Sequence, residues 1–153
     1  IRDIFDSPAY SGSYDRSLAA IEDALAEYPT IKVVIDVHRD SILTDDGTAY
    51  KTSCTIDGDE MAQLMFVVGT DEGGLYHPDW QDNLNYVTGL QYQLNRAYPG
   101  LMRPVNLRTQ RFNQHASPGS MLIEVGSSGN TMPEALAAIR LFGQTLADDL
   151  NGA

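Results

Sequence analysis

The sequence predicts an α/β domain, a mixed twisted β-sheet flanked by helices. Three observations carry this. Apolar residues at helical spacing alternate along the chain with short runs rich in Val and Ile. Those runs have apolar centres, as strands covered on both faces do. One of them, Met121-Leu122-Ile123-Glu124-Val125, leads through Gly126-Ser127-Ser128-Gly129 into a helix start.

The 153 residues make one domain, residues 1–153, long enough to bury a core. No internal repeat, low-complexity segment or interdomain linker interrupts it. No run approaches the length that spans a bilayer. The chain starts at Ile1 rather than Met, which leads us to expect a processed or truncated product. With 10 Lys+Arg against 21 Asp+Glu, the net charge is −11. This argues against a nucleic-acid partner and against docking on anionic lipid. Arg103, Arg108 and Arg111 are a local basic cluster, read one by one as a solvated loop. The single cysteine, Cys54, cannot form an internal disulfide, which leaves the compartment open.

The elements follow in order. Residues 1–12 are polar and loop-like, with Pro8 and Gly12. Ser13 is an N-cap candidate. Leu18, Ile21, Leu25 and Tyr28 then give a helix over Tyr14–Tyr28, stopped by Pro29. Ile31–His38 reads as a buried parallel strand, with Asp36 and His38 on one face at its C-terminal end. Tyr50–Ile56 and Gln63–Val68 read as a hairpin around Asp57-Gly58. Asp79 can cap a helix carrying Leu84, Val87, Leu90 and Leu94, closed by Pro99-Gly100. Pro104–Leu107 is a short strand, and Thr109–Gly119 a long loop. Beyond the Glu124 strand, Thr131 with Glu134 is a capping-box signature for a last helix reaching Leu150.

Glu124 is the anomaly in this pattern. An ionised carboxylate is costly inside a sheet unless it has a partner. His38 ends another apolar strand, and ligand sites of open α/β sheets gather at such ends. Two readings stand. The imidazole and the carboxylate share a metal, with Asp36 supporting the ring. Alternatively, His38 is a satisfied histidine closing its strand and Glu124 pairs with an arginine. The tripeptide His38-Arg39-Asp40 matches the kinase catalytic loop. However, Asp45 stands where that motif needs Asn, and no Asp-Phe-Gly or Gly-rich nucleotide loop accompanies it. Cys54 lies within an alternating strand and reads as packing. Ser120 lacks a nucleophile elbow.

Together the motifs resemble the stage II sporulation protein P family. They are Tyr10-Ser11-Gly12-Ser13-Tyr14 with Arg16-Ser17-Leu18, Val37-His38-Arg39-Asp40, and Met65-Phe66-Val67-Val68-Gly69-Thr70. Gly73-Gly74-Leu75 with His77-Pro78, Tyr98-Pro99-Gly100-Leu101 and Arg111-Phe112-Asn113-Gln114-His115 continue the series. Ser117-Pro118-Gly119-Ser120, Ile123-Glu124-Val125-Gly126 and Gly129-Asn130-Thr131 complete it.

The resemblance implies a zinc amidase-like fold and a sporulation peptidoglycan hydrolase. Such an enzyme cleaves the amide between N-acetylmuramic acid and L-alanine during engulfment, and peptide cross-links as a second activity. It implies Glu124 as the catalytic glutamate and His38 as one of two zinc-ligating histidines. Asp36 is then a supporting partner, and Arg111, Asn113 and His115 are substrate contacts. The other histidine and a glutamate ligand belong to an N-terminal His-Thr-His segment that this chain lacks. The expectations are therefore zinc in the intact enzyme, zinc absent or poorly held here, and inactivity of this chain alone. A missing first strand would leave a sheet edge or face exposed. The implied partners are peptidoglycan, stage II sporulation protein D and the septal membrane, through an N-terminal anchor not in this chain. The implied location is extracytoplasmic, at the sporulation septum. The competing reading is a non-catalytic fragment that binds peptidoglycan or a partner. A metal-independent hydrolase ranks below both.

Overall fold

In a computed structural model, described over residues 3–152, a four-stranded mixed sheet carries helices on its faces. The elements are α1 (Ser13–Glu27), β1 (Val34–Asp40), β2 (Ser53–Ile56), β3 (Asp59–Ala62), β4 (Leu64–Gly69), α2 (Trp80–Ala97), β5 (Asn106–Arg108), β6 (Ser120–Ser127) and α3 (Met132–Leu150). The strand order is β1-β6-β4-β5, and β2 and β3 form a separate ribbon. β1 pairs parallel with β6, β6 antiparallel with β4, and β4 parallel with β5. The α/β class read from the sequence is therefore the class observed.

Alternation sorts β4 and β6 between two cores. Leu64, Phe66 and Val68 of β4, with Met121, Ile123 and Val125 of β6, face α2 and α3. There they meet Val87, Leu90 and Leu94 of α2, and Ala138, Phe142 and Leu146 of α3. The opposite face holds a small cluster of Met65, Val67 and Leu122, covered by Phe112. Glu124 belongs to this second face, opposite Met121, Ile123 and Val125.

Three expectations are corrected. The Ile31–His38 strand is parallel but not buried. As β1 it forms the sheet edge, and Ile35 and Val37 are exposed. α1 does not seal this edge. It buries none of its residues, and Ile21, Leu25 and Tyr28 line a cleft of about 540 Å³ against Val33, Val34 and Ile35.

The hairpin turn does fall at Asp57-Gly58, but the returning strand is β3, with Ile56 opposite Asp59. Leu64–Gly69 crosses to the main sheet instead. The reason is geometric and chemical. A two-residue turn pairs adjacent residues at once, and a run buried at every position needs cover on both faces.

The caps also differ. Gly12 at φ +80° stands at the N-cap of α1 in place of Ser13, and Asp79 precedes α2 without a side-chain cap bond. The capping box at Thr131 and Glu134 is complete. The short strand falls at Asn106–Arg108, and the Thr109–Gly119 loop contains one 3₁₀ turn, Gln114–Ala116.

Two loops are locked where they meet the sheet. Gln114 is buried. Its Oε1 accepts from the Gly69 N–H at 2.9 Å and its Nε2 donates to the Val67 carbonyl at 2.8 Å, so it continues the β4 ladder.

At the other end of the site, Gly126 has φ +69°, and a Cβ there would lie 2.7 Å from Asn130 Oδ1 and 2.8 Å from Ala62 Cβ. That Oδ1 accepts from the Ser127 N–H at 2.9 Å and the Thr52 N–H at 3.3 Å. Gly126→Ala is expected to lower stability by about 2 kcal/mol or more, since strain and lost bonds add. Urea unfolding checks this, and a loss below about 0.5 kcal/mol would show that the turn relaxes freely.

Candidate active site

Glu124 lies near the C-terminal end of β6 between two unlike neighbours. His38 is its register partner on β1 and Met65 its partner on β4. Adjacent strands lie about 4.8 Å apart, so the three side chains share one face. One carboxylate oxygen, Oε2, is buried without a hydrogen-bond partner among the described residues. Burial pushes the Glu124 pKa above its ordinary value, only partly offset by His38. An unpaired, desolvated carboxylate of this kind is suited to taking a proton.

Among the described residues no arginine forms an ion pair with Glu124, as the alternative reading required. Arg103 Nη1 lies 2.8 Å from Asp40 Oδ2 and acts on Glu124 only as a more distant charge.

His38 and Asp36 meet as their shared face predicts. His38 Nε2 lies 3.0 Å from Asp36 Oδ1. That hydrogen bond is the main cause raising the His38 pKa, while burial opposes it. Beyond His38 the β1–β6 register shifts before Asp40. Arg39 points away from this face and donates to the Asn130 carbonyl at 2.5 Å.

The site is a pocket of about 230 Å³ that takes in His38, Asp40, Glu124, Tyr14, Phe112 and Arg108. Sequence reasoning missed four of these as site residues: Tyr14, Phe112, Arg108 and Asp40. Tyr14 read as a helix start and Phe112 as part of a loop. The motif Tyr10-Ser11-Gly12-Ser13-Tyr14 was the available signal for the first. A second groove, of about 430 Å³, shares Tyr10, Tyr14 and Phe112 with the pocket and continues along Thr109, Gln110 and Gly73.

The three expected substrate contacts fall differently. Arg111 and Asn113 line the adjoining groove rather than the Glu124 pocket, and His115 lines neither. Arg111 Nη1 donates to the Tyr76 carbonyl at 3.0 Å. Asn113 Nδ2 donates to the Tyr14 carbonyl at 2.7 Å and to Ser17 Oγ at 3.1 Å. His115 packs edge-to-face on buried His77, ring centroids 6.3 Å apart. Burial, then the Arg111 charge, lowers the pKa of both rings.

Cys54 is half-buried in the ribbon and Ser120 is buried at the start of β6. Neither lines the pocket.

Among the described residues, no group of three or more His, Cys, Asp or Glu side chains lies close enough to hold a metal ion. His38 and Glu124 are two donors, and protein zinc centres use three or four. The described residues do not by themselves make a zinc site. Among them, no helix is long and apolar enough to cross a membrane.

Comparison with known proteins places this geometry in a family. The family model for stage II sporulation protein P matches residues 1–147. Stage II sporulation protein P of Bacillus subtilis (strain 168) is 30% identical over 148 residues, covering 91% of this chain. The chain spans 34% of that relative's length. No solved structure matches. With nearly the whole chain matched, the protein belongs to the stage II sporulation protein P family, a family of sporulation proteins.

Proposed function

We propose that this chain supplies the general base and much of the substrate pocket of a peptidoglycan amidase. Its bond is the amide between N-acetylmuramic acid and L-alanine, with cross-link peptides as a second substrate of the same chemistry. The observation that carries this is Glu124, a desolvated carboxylate with an oxygen unpartnered among the described residues, in register beside His38 and open to a pocket.

In the reaction, Glu124 takes a proton from water as the water oxygen bonds to the amide carbon. The carbonyl π pair moves onto its oxygen. Collapse returns that pair to the C–O bond and breaks the C–N bond, and Glu124 passes its proton to the departing nitrogen. The products are the muramyl carboxylic acid and the free amino group of L-alanine. Asp36 fixes the His38 ring, so His38 offers its imidazole in one orientation.

Zinc is the cofactor that family membership suggests. His38 is the ligand this chain would contribute, with the remaining donors supplied from outside the described residues. The same reading puts the work at the sporulation septum, outside the cytoplasm, on peptidoglycan and alongside stage II sporulation protein D.

The shortage of ligands favours a second reading, in which this chain by itself binds peptidoglycan without cutting it. One experiment tests both. Purified sacculi are incubated with the chain and with a longer form carrying additional ligands. Pelleting measures binding, and newly freed L-alanine amino groups measure cleavage. Cleavage by the longer form alone supports the proposal. No freed L-alanine from either form overturns the amidase reading, and loss of pelleting would also remove the binding one.

A further inference from the structure

We infer that Tyr14 is the hydrogen-bond donor that stabilises the oxyanion when the scissile carbonyl becomes tetrahedral in the Glu124 pocket. This rests on the reading of that pocket as an amide hydrolase. Tyr14 lines the pocket together with His38 and Glu124, from the first turn of α1.

Its ring is held in two ways. It stands edge-to-face against Phe112, with centroids 5.9 Å apart and planes at 61°, and Phe112 rests on Met65, Val67 and Leu122 beneath. Its carbonyl accepts from Asn113 Nδ2 at 2.7 Å and from Ser17 Oγ at 3.1 Å. Those bonds engage the backbone, and among the described residues no hydrogen bond involves the Tyr14 hydroxyl.

Besides Tyr14 the pocket lining includes the donors Tyr10, Asn106 and Arg108, but its carboxylates are of the wrong kind for an oxyanion. Glu124 and Asp40 are acceptors when ionised, and Asp36 adds a third carboxylate behind His38. A neutral O–H can face a developing negative charge where a carboxylate cannot. The hydroxyl also keeps its proton. Burial raises its pKa first, and the charges of Asp36, Tyr10 and Glu124 raise it further. A donor fixed in a half-buried site needs little reorganisation when charge develops. Asn113 then acts as a positioning residue, through the Tyr14 backbone.

The test compares the peptidoglycan-cleaving form of the protein with its Tyr14→Phe variant, which keeps the ring on Phe112. Freed L-alanine amino groups give kcat and KM. Binding is measured for two ligands, an intact muramyl peptide and its phosphinate analogue, which carries a tetrahedral anion at the scissile position. Expected are a fall in kcat of about 100-fold, a KM within about twofold, and weakened binding of the phosphinate alone. The urea midpoint should be retained. A kcat within about threefold of the unaltered protein overturns the assignment, as does equal weakening of both ligands. If the unaltered protein cleaves and Glu124→Gln does not, the hydrolase reading stands whichever way Tyr14 falls. If the unaltered protein frees no L-alanine, that reading fails and the role of Tyr14 with it.

Discussion

Glu124→Gln is expected to abolish cleavage by the active form of the protein and to make the fold more stable at neutral pH. Removing the base should cost at least about 100- to 10,000-fold in kcat. The stability gain has a separate origin. Glu124 is held on an apolar strand with one oxygen buried and unpartnered among the described residues, and burial raises its pKa above the ordinary 4.5. Between 4.5 and that raised value the folded protein binds a proton that the unfolded chain has released. Stability therefore falls as pH rises through this window, and the penalty is fully present above it. Glutamine carries no charge to desolvate, so the variant loses this pH dependence. Near pH 7 it should gain about 1 kcal/mol, the scale of relieving one poorly satisfied buried group. Urea midpoints of both proteins at about pH 4 and about pH 8 give the comparison. Parallel pH dependences would mean that Glu124 is solvated, and would remove the main support for its role as a base.

A larger loss of stability is expected from Asn83→Asp. Asn83 is buried at the start of α2, and its side-chain amide faces four carbonyls of the segment leading into β6. The distances are 2.9 Å to Ser117 and Ser120, 3.2 Å to Pro118 and 3.3 Å to Gln114. One NH₂ thus ties the end of the Thr109–Gly119 loop to the helix that packs under the sheet. Aspartate has almost the same shape but sets a carboxylate against those four acceptors. It must either hold a charge with no partner or remain protonated. The expected cost is about 3 kcal/mol or more, against about 2 kcal/mol for Asn83→Ala, which removes the donor without adding a charge. Hydrogen exchange at residues 117–120 should accelerate in both variants. If Asn83→Asp unfolds within about 1 kcal/mol of the unaltered protein, water or a moved loop must satisfy those carbonyls instead.

Much of the fold was legible in the sequence because periodicity reports burial directly. The three helices, the Glu124 strand and the Thr131 capping box were all readable in this way. The hairpin was half legible. Asp57-Gly58 marks the turn by backbone preference, but which run returns from it depends on where each buries its faces. β1 was misread for the same reason. Val and Ile at every second position look like a buried strand, yet as an edge strand it leaves Ile35 and Val37 exposed.

The candidate site divides along similar lines. Asp36 and His38 share a face because a strand has a period of two, and no other part of the molecule is needed to see it. Glu124 drew attention by chemistry alone, as a charge in an apolar run. The partnership between them was another matter. His38 and Glu124 are far apart in sequence, and only parallel pairing of β1 with β6 puts them side by side. Tyr14 and Phe112 meet there, and the Asn113 amide holds the Tyr14 backbone from the adjoining groove, because α1 and the Thr109–Gly119 loop close over the same face.

The sequence by itself determined the fold class and the family, and it singled out Glu124 and His38 as candidates for the chemistry. Local spacing and residue type were enough for these. The tertiary structure alone decided that Glu124 has no arginine partner among the described residues, that Arg103 is held by Asp40, and that Tyr14 shares its pocket. The physical reason is that desolvation and pairing depend on what surrounds a group in space. A carboxylate's neighbours are set by strand order and register, which a one-dimensional pattern does not contain.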